Sequence, residues 1–168
     1  MRHDPDPMTV TIRAAQSGDE AEILRMIRAL ARFEREPDAV VATEAMLTEN
    51  LFGDGGHVHA HLAERGGRAV GLALWFLNYS TWTGRPGLYL EDLFVDAGER
   101  RSGVAQVLMV ALAEAALARG CARMDWAVLD WNVDAMRFYE KLGARRSEGW
   151  QPWRLEGEAI ARLALGAR

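Results

Sequence analysis

Apolar and polar positions along the 168-residue chain change period several times, and each change marks an element. Val10 to Ala14 reads as a first strand, following a flexible tail over residues 1 to 8 whose two Asp-Pro pairs carry no apolar period. From Asp19, an N-cap with Glu20 and Glu22 in the first turn, the residues Ile23, Ile27, Leu30 and Ala31 recur at helical spacing to about Phe33. A shorter helix is expected over Glu44 to Leu51, broken by Gly53-Asp54-Gly55-Gly56. Val58, Ala60 and Leu62 then alternate with His57, His59 and His61, and Arg65-Gly66-Gly67-Arg68 makes a hairpin turn into Ala69 to Leu77. Asn78 to Gly87, rich in turn formers, reads as a loop before a strand at Leu88 to Val95. Gly103 to Arg119 has the alanine and leucine pattern of a long helix, closed by Gly120. Cys121 to Leu129 reads as a strand, Asp134 to Leu142 as a helix ended by Gly143, and Trp153 to Leu155 as a late strand before a short terminal helix.

This order lacks the regular strand–helix alternation of a doubly wound sheet. It predicts an α+β fold in α/β/α layers around a mixed, mostly antiparallel sheet, parallel only within the unit from Leu88 to Leu129. At this length residues 9 to 168 form one domain. The single Cys121 excludes an internal disulfide, and the N-terminus has no apolar signal core. The apolar stretches are too short to cross a bilayer, so a cytoplasmic protein with no membrane partner is expected. A net charge of −4 argues against a nucleic-acid partner and is compatible with cationic amines.

Directly after the strand ending at Val95 comes Arg100-Arg101-Ser102-Gly103-Val104-Ala105, which runs into the long helix with Gln106 in its first turn. A helix N-terminus offers unpaired N–H groups and the positive end of the macrodipole, and glycine lets a phosphate approach the backbone. Taken alone, the six residues also fit a solvated turn.

The flanking residues decide the matter. R-x-x-G-x-A after a strand resembles the coenzyme A pyrophosphate motif of the Gcn5-related N-acetyltransferases (GNAT). Tyr89-Leu90-Glu91-Asp92-Leu93-Phe94-Val95, then Trp131-Asn132, then Arg137-Phe138-Tyr139-Glu140-Lys141-Leu142-Gly143-Ala144 resemble that family's further motifs, in order. The chain also resembles the diamine (spermidine/spermine) acetyltransferase branch, through Ile12-Arg13, Ile23-Leu24-Arg25, Phe33-Glu34 and Leu88 to Val95.

The resemblance implies the acyl-CoA N-acyltransferase fold, acetyl-coenzyme A as cosubstrate, no metal, and a homodimer. It implies transfer of an acetyl group to a primary amine of a diamine, polyamine or thialysine-like substrate by direct attack in a ternary complex. A lysine-like amine has a pKa near ~10.4 and must lose a proton before it attacks. Glu91 is the implied general base, through water, with Asp92 on the opposite face because side chains alternate along a strand. The strand at Leu93, Phe94 and Val95 is expected to splay from its parallel neighbour, so that a backbone N–H near Phe94 or Val95 meets the carbonyl oxygen. Tyr139 is the implied general acid. Asn132 is either a ligand of the cofactor arm or an N-cap, and Phe138 lies beside the cofactor. Phe33, Glu34, Trp82, Glu91 and Asp92 are the candidate amine contacts, since a cation gains from carboxylates and ring faces. Gln151 departs from the polyamine enzymes, which carry an acidic residue before the late Trp-Arg.

Two other functions fit the same motifs: acetylation of a protein or peptide amine, and a non-catalytic acetyl-coenzyme A sensor. His57, His59 and His61 share a strand face but have no carboxylate or cysteine cluster to complete a metal site, and read as solvent-facing.

Overall fold

A computed structural model describes residues 9–166; the tail read over residues 1 to 8 lies outside them. The chain packs as two compact units, one ending at Ala127 and the other beginning at Val128. The first holds β1 (Val10–Ala14), α1 (Glu20–Phe33), α2 (Glu44–Phe52), β2 (Val58–Arg65), β3 (Arg68–Ser80), β4 (Arg85–Val95), α3 (Val104–Ala118) and β5 (Met124–Trp126). The second holds α4 (Val133–Lys141) and α5 (Glu158–Ala164).

The sheet runs β1-β2-β3-β4-β5, antiparallel except for the parallel pair β4–β5. This is the expected mixed sheet. Both of its faces are covered. On one, Ala60, Leu62, Leu72, Leu74 and Phe94 bury against Ile23, Leu24 and Met26 of α1 and Leu47 of α2. On the other, Val104, Leu108 and Leu112 of α3 are completely or almost completely buried. The approach of α3 to β3 is set by Gly71, where an added Cβ would lie 3.0 Å from Val104 Cγ1 and 3.1 Å from the Phe94 carbonyl oxygen.

The α3 face also holds His59 and His61, and here the structure corrects the solvent-facing reading for these two, while His57 is exposed as expected. Trp75 is buried, His59 lies 4.4 Å from its ring, and His61 accepts a hydrogen bond at Nδ1 from Trp75 Nε1 at 3.0 Å. The Arg119 guanidinium, just past the end of α3, covers the same indole at 4.8 Å. Burial, followed by the Arg119 charge, pushes both histidine pKa values down.

Four further expectations change. The loop expected over Asn78 to Gly87 is mostly strand: Asn78↔Gly87, Tyr79↔Pro86 and Ser80↔Arg85 pair, which leaves only residues 81–84 as a turn. Turn-forming composition concealed a long hairpin arm. The strand expected from Cys121 to Leu129 pairs with β4 only at Met124, Asp125 and Trp126. Trp153 to Leu155 is not a strand, because among the described residues its unit contains no strand to pair with. Asp19 occupies the N-cap position of α1 without a side-chain cap bond. Its carboxylate instead takes a fork from Arg13 at 2.6 and 2.9 Å and the Gln16 N–H at 2.8 Å.

Gly71→Ala is expected to lower the unfolding free energy by about 1–3 kcal/mol through overpacking. Gly55→Ala, where an added Cβ meets nothing within 4 Å, should stay within about 0.5 kcal/mol of the parent. Urea denaturation of the two variants checks the pair.

Candidate active site

The site is organised by an irregularity in the β3–β4 ladder. Leu74 pairs with Asp92 and Trp75 pairs with Leu90, so Glu91 is an extra residue with no partner on β3. Such a bulge breaks the two-residue alternation of the strand. Cross-strand partners share a face. Leu90 therefore lies with Trp75 on the α3 side, while Asp92 lies with Leu74 on the α1 side. The expectation that simple alternation sorts Glu91 from Asp92 fails for this reason.

The same point ends the contact with β5. Leu88, Tyr89 and Leu90 pair with β5, and beyond Leu90 that edge of β4 has no ladder partner among the described residues. The Asp96 N–H donates to the Val70 carbonyl at 2.9 Å, which fixes the direction of the groups before it. Because N–H and C=O groups point alternately along an antiparallel strand, Phe94 and Asp92 bond towards β3 and Leu93 and Val95 point to the open edge. The Val95 carbonyl accepts from Arg100 Nε at 3.2 Å, as this direction requires. Of the two residues expected to supply a backbone N–H, the geometry favours Val95 over Phe94.

Three carboxylates gather near the bulge. Glu91 is exposed on β4. Asp92 is pushed up to about 6, first by burial and then by the negative charges of Glu91 and Glu34. Burial also raises Glu34. Glu34 follows α1 directly, and the helix ends there because Arg35 takes a left-handed conformation with φ 68° while the Glu36 N–H reaches back to the Ala31 carbonyl at 2.9 Å. A non-glycine residue in that conformation is strained and persists where its surroundings hold it. Phe33, one residue earlier, carries the Arg100 guanidinium over its ring at 4.8 Å. Phe33 thus joins the carboxylate cluster to the turn after β4.

Trp82 does not join the cluster in this unit. It stands 88% exposed in the turn at the far end of the β3–β4 arm. Glu91 is six steps along the strand from Arg85, about 20 Å at ~3.3 Å per residue.

The turn into α3 has the form the sequence predicts. Gly103 is left-handed at φ 86° with open space where a Cβ would stand, and Arg101 is left-handed at φ 63°. The first helical bond is from the Val107 N–H to the Gly103 carbonyl, which leaves the N–H groups of Val104, Ala105 and Gln106 without helical acceptors. Gly103 provides no side-chain cap and the first turn has no acidic residue. Successive N–H groups beside a left-handed residue make a concavity for anions, and the residues present fit a pyrophosphate.

In the second unit the Asn132 side-chain oxygen caps α4 by accepting from the Ala135 N–H at 3.2 Å, so the capping role holds. Phe138 packs against Tyr139 with ring centres 5.2 Å apart. Tyr139 is half-buried, and burial pushes its phenol up to about 12, which keeps it protonated across neutral pH.

The sequence model of the acetyltransferase (GNAT) family matches residues 22–144, a stretch that includes the bulge, the anion turn and α4. The chain belongs to this family. As a GNAT protein it is an acetyl-transferring acyltransferase, and the family implies acetyl-coenzyme A as cosubstrate. The chain is 42% identical over 167 residues to the thialysine N-epsilon-acetyltransferase of Sus scrofa, covering 93% of this chain and 98% of that one. It is 33% identical to the spermidine/spermine N(1)-acetyltransferase-like protein 1 of Homo sapiens, with 91% of this chain matching 23% of that longer protein. Among solved structures, the integron cassette protein from the mobile metagenome of V. cholerae superposes with a TM-score of 0.78 at 26% identity, covering 92% of this chain and 97% of that one. Among the described residues no helix is long and apolar enough to cross a membrane, and no group of three His, Cys, Asp or Glu side chains is placed to hold a metal ion.

The raised Asp92 pKa has a sign. Between the ordinary carboxylate value and about 6 the folded chain holds a proton that the unfolded chain has released, so stability falls as pH rises through that window. Asp92→Asn is therefore expected to raise the unfolding free energy by about 1–3 kcal/mol at pH 8 and by much less at pH 4. Chemical denaturation at the two pH values measures the difference.

Proposed function

We propose that this acetyltransferase moves the acetyl group of acetyl-coenzyme A to a primary amine of a small cationic substrate, a diamine, polyamine or thialysine-like amino acid, by direct attack in a ternary complex. The observation that carries the reading is the half-buried Asp92 carboxyl beside Glu34 and Glu91, at the point where β4 loses its parallel neighbour. Carboxylates at such a place favour a cation over a neutral or acidic substrate, and Coulomb attraction strengthens where water is excluded. The names of the relatives, which refer to thialysine and to spermidine and spermine, support the same class.

In this reading Asp92 and Glu34 hold the ammonium end. Glu91 takes the proton, through water, that the amine must lose before its nitrogen bonds to the acetyl carbon. The outward Val95 N–H donates to the carbonyl oxygen as charge develops there. The N–H groups of Val104, Ala105 and Gln106, with Arg101, hold the pyrophosphate. Tyr139 supplies the proton that the sulfur accepts as its bond to carbon breaks. The protons balance: the one that leaves the amine passes through Glu91 to solvent, the one that reaches the thiol comes from Tyr139, and Tyr139 regains a proton from solvent before the next turnover. A homodimer, on the strength of the family resemblance, and a cytoplasmic location, from the single cysteine and the short apolar stretches, are part of the proposal.

Thiol release from acetyl-coenzyme A against a panel of amines tests the reading. Diamines and thialysine should be turned over and peptide amines should not. Activity on a diamine should climb as pH rises through about 6, where Asp92 ionises. Asp92→Asn should raise the KM for the amine about tenfold while the KM for acetyl-coenzyme A holds steady. Tyr139→Phe should lower kcat by a hundredfold or more, on the order of a general acid's contribution, with little change in cofactor affinity. Full activity of Tyr139→Phe would remove that residue from the mechanism.

A further inference from the structure

The turn between β2 and β3 contains two arginines that the reaction above leaves unused. Gly66 and Gly67 both have positive φ, 57° and 74°, so the hairpin is a tight two-residue turn and Arg65 and Arg68 stand as directly paired residues. Their side chains reach across to the segment after β4. Arg65 Nη1 makes a short ion pair with Glu99, and Arg65 Nη2 donates to Ser102 Oγ at 3.3 Å. Arg68 Nη2 stands 3.6 Å from the other Glu99 oxygen. Ser102 Oγ in turn donates to the Glu99 carbonyl at 2.6 Å. The Arg65 and Glu99 side chains are only 20% and 17% exposed, so this pair is screened less than a surface ion pair.

Glu99 lies four residues before Gly103 and is the acidic residue closest in sequence to the anion turn. A carboxylate at that point opposes the binding of a pyrophosphate. Arg65 removes the opposition in two ways. It cancels the charge, and its planar fork ties Glu99 and Ser102 to the end of β2, so the backbone that offers its N–H groups is held before ligand arrives. We propose that Arg65 is a positioning and charge-compensating residue for coenzyme A: it touches no part of the cofactor and acts by neutralising Glu99 and fixing the turn at Ser102–Gly103. This rests on the reading that the turn seats the cofactor pyrophosphate.

Calorimetric titration with coenzyme A tests the inference without turnover. Arg65→Met should weaken binding about tenfold, the scale expected when a positioning contact is lost. Adding Glu99→Gln to that variant should restore most of the affinity, because the uncompensated charge is gone. A merely structural arginine would give no such rescue. At saturating acetyl-coenzyme A both variants should keep the parent's KM for the amine. Should Arg65→Met fail to fold, Arg65→Lys replaces it. Lysine keeps the charge and loses the fork, so binding should weaken about threefold. Arg65→Met, or in its place Arg65→Lys, binding as tightly as the parent would overturn the proposal, as would a double variant no better than the single one. If the parent chain itself gives no heat with coenzyme A, the cofactor reading fails and this inference fails with it. Binding by the parent with an unchanged variant defeats the inference alone.

Discussion

The arrangement of the site depends on one constraint: β4 carries one residue more than β3 can pair with. A regular strand would have sent Asp92 to the α3 side with Leu90, into apolar packing around Trp75 and Leu108. The extra residue at Glu91 turns Asp92 and Phe94 to the α1 side instead. The cost is a carboxyl group held where water reaches it poorly, and its raised pKa records that cost. Local departures from ladder geometry recur where a strand must re-aim a side chain, and here the re-aimed side chain is acidic.

Helix α1 and the end of β2 are both tied to the segment that leads into α3. Arg25 bonds Asp96 at 3.0 Å, Arg100 rests on Phe33 and bonds the Val95 carbonyl, and Arg65 bonds Glu99 and Ser102. Apart from the Arg100–Val95 bond, which lies within the segment from Val95 to Ser102, each contact joins that segment to an element far away in sequence. That segment has few buried apolar side chains, so charged and polar contacts define its shape.

Much of this was legible in the residues. The bounds of β1 and α1, the glycine before the long helix and the order of motifs follow from period, caps and turn chemistry, and the family assignment followed from the motifs. The bulge was not legible, because Leu-Glu-Asp-Leu has no feature of its own that says which residue is extra; only the partner strand decides. The arm over Asn78 to Gly87 was hidden for the opposite reason. Its Thr, Gly and Pro residues satisfy the turn rules, yet pairing across the hairpin overrides local preference. Asp19 reads as a cap in isolation, and Arg13, six residues away, takes its carboxylate. The histidines of β2 alternate correctly, but alternation does not reveal that α3 covers the face they occupy.

Helix α3 is fixed at both ends. Near its start the missing side chain of Gly71 lets Val104 settle onto the sheet, and just past its end Arg119 lies on the Trp75 indole. These two contacts set the line of the helix against the sheet, so the direction of the dipole at its head follows from the packing of α3 and not from the loop before it. An anion meeting the N–H groups at the head of the helix would find them already aimed by the packing beneath.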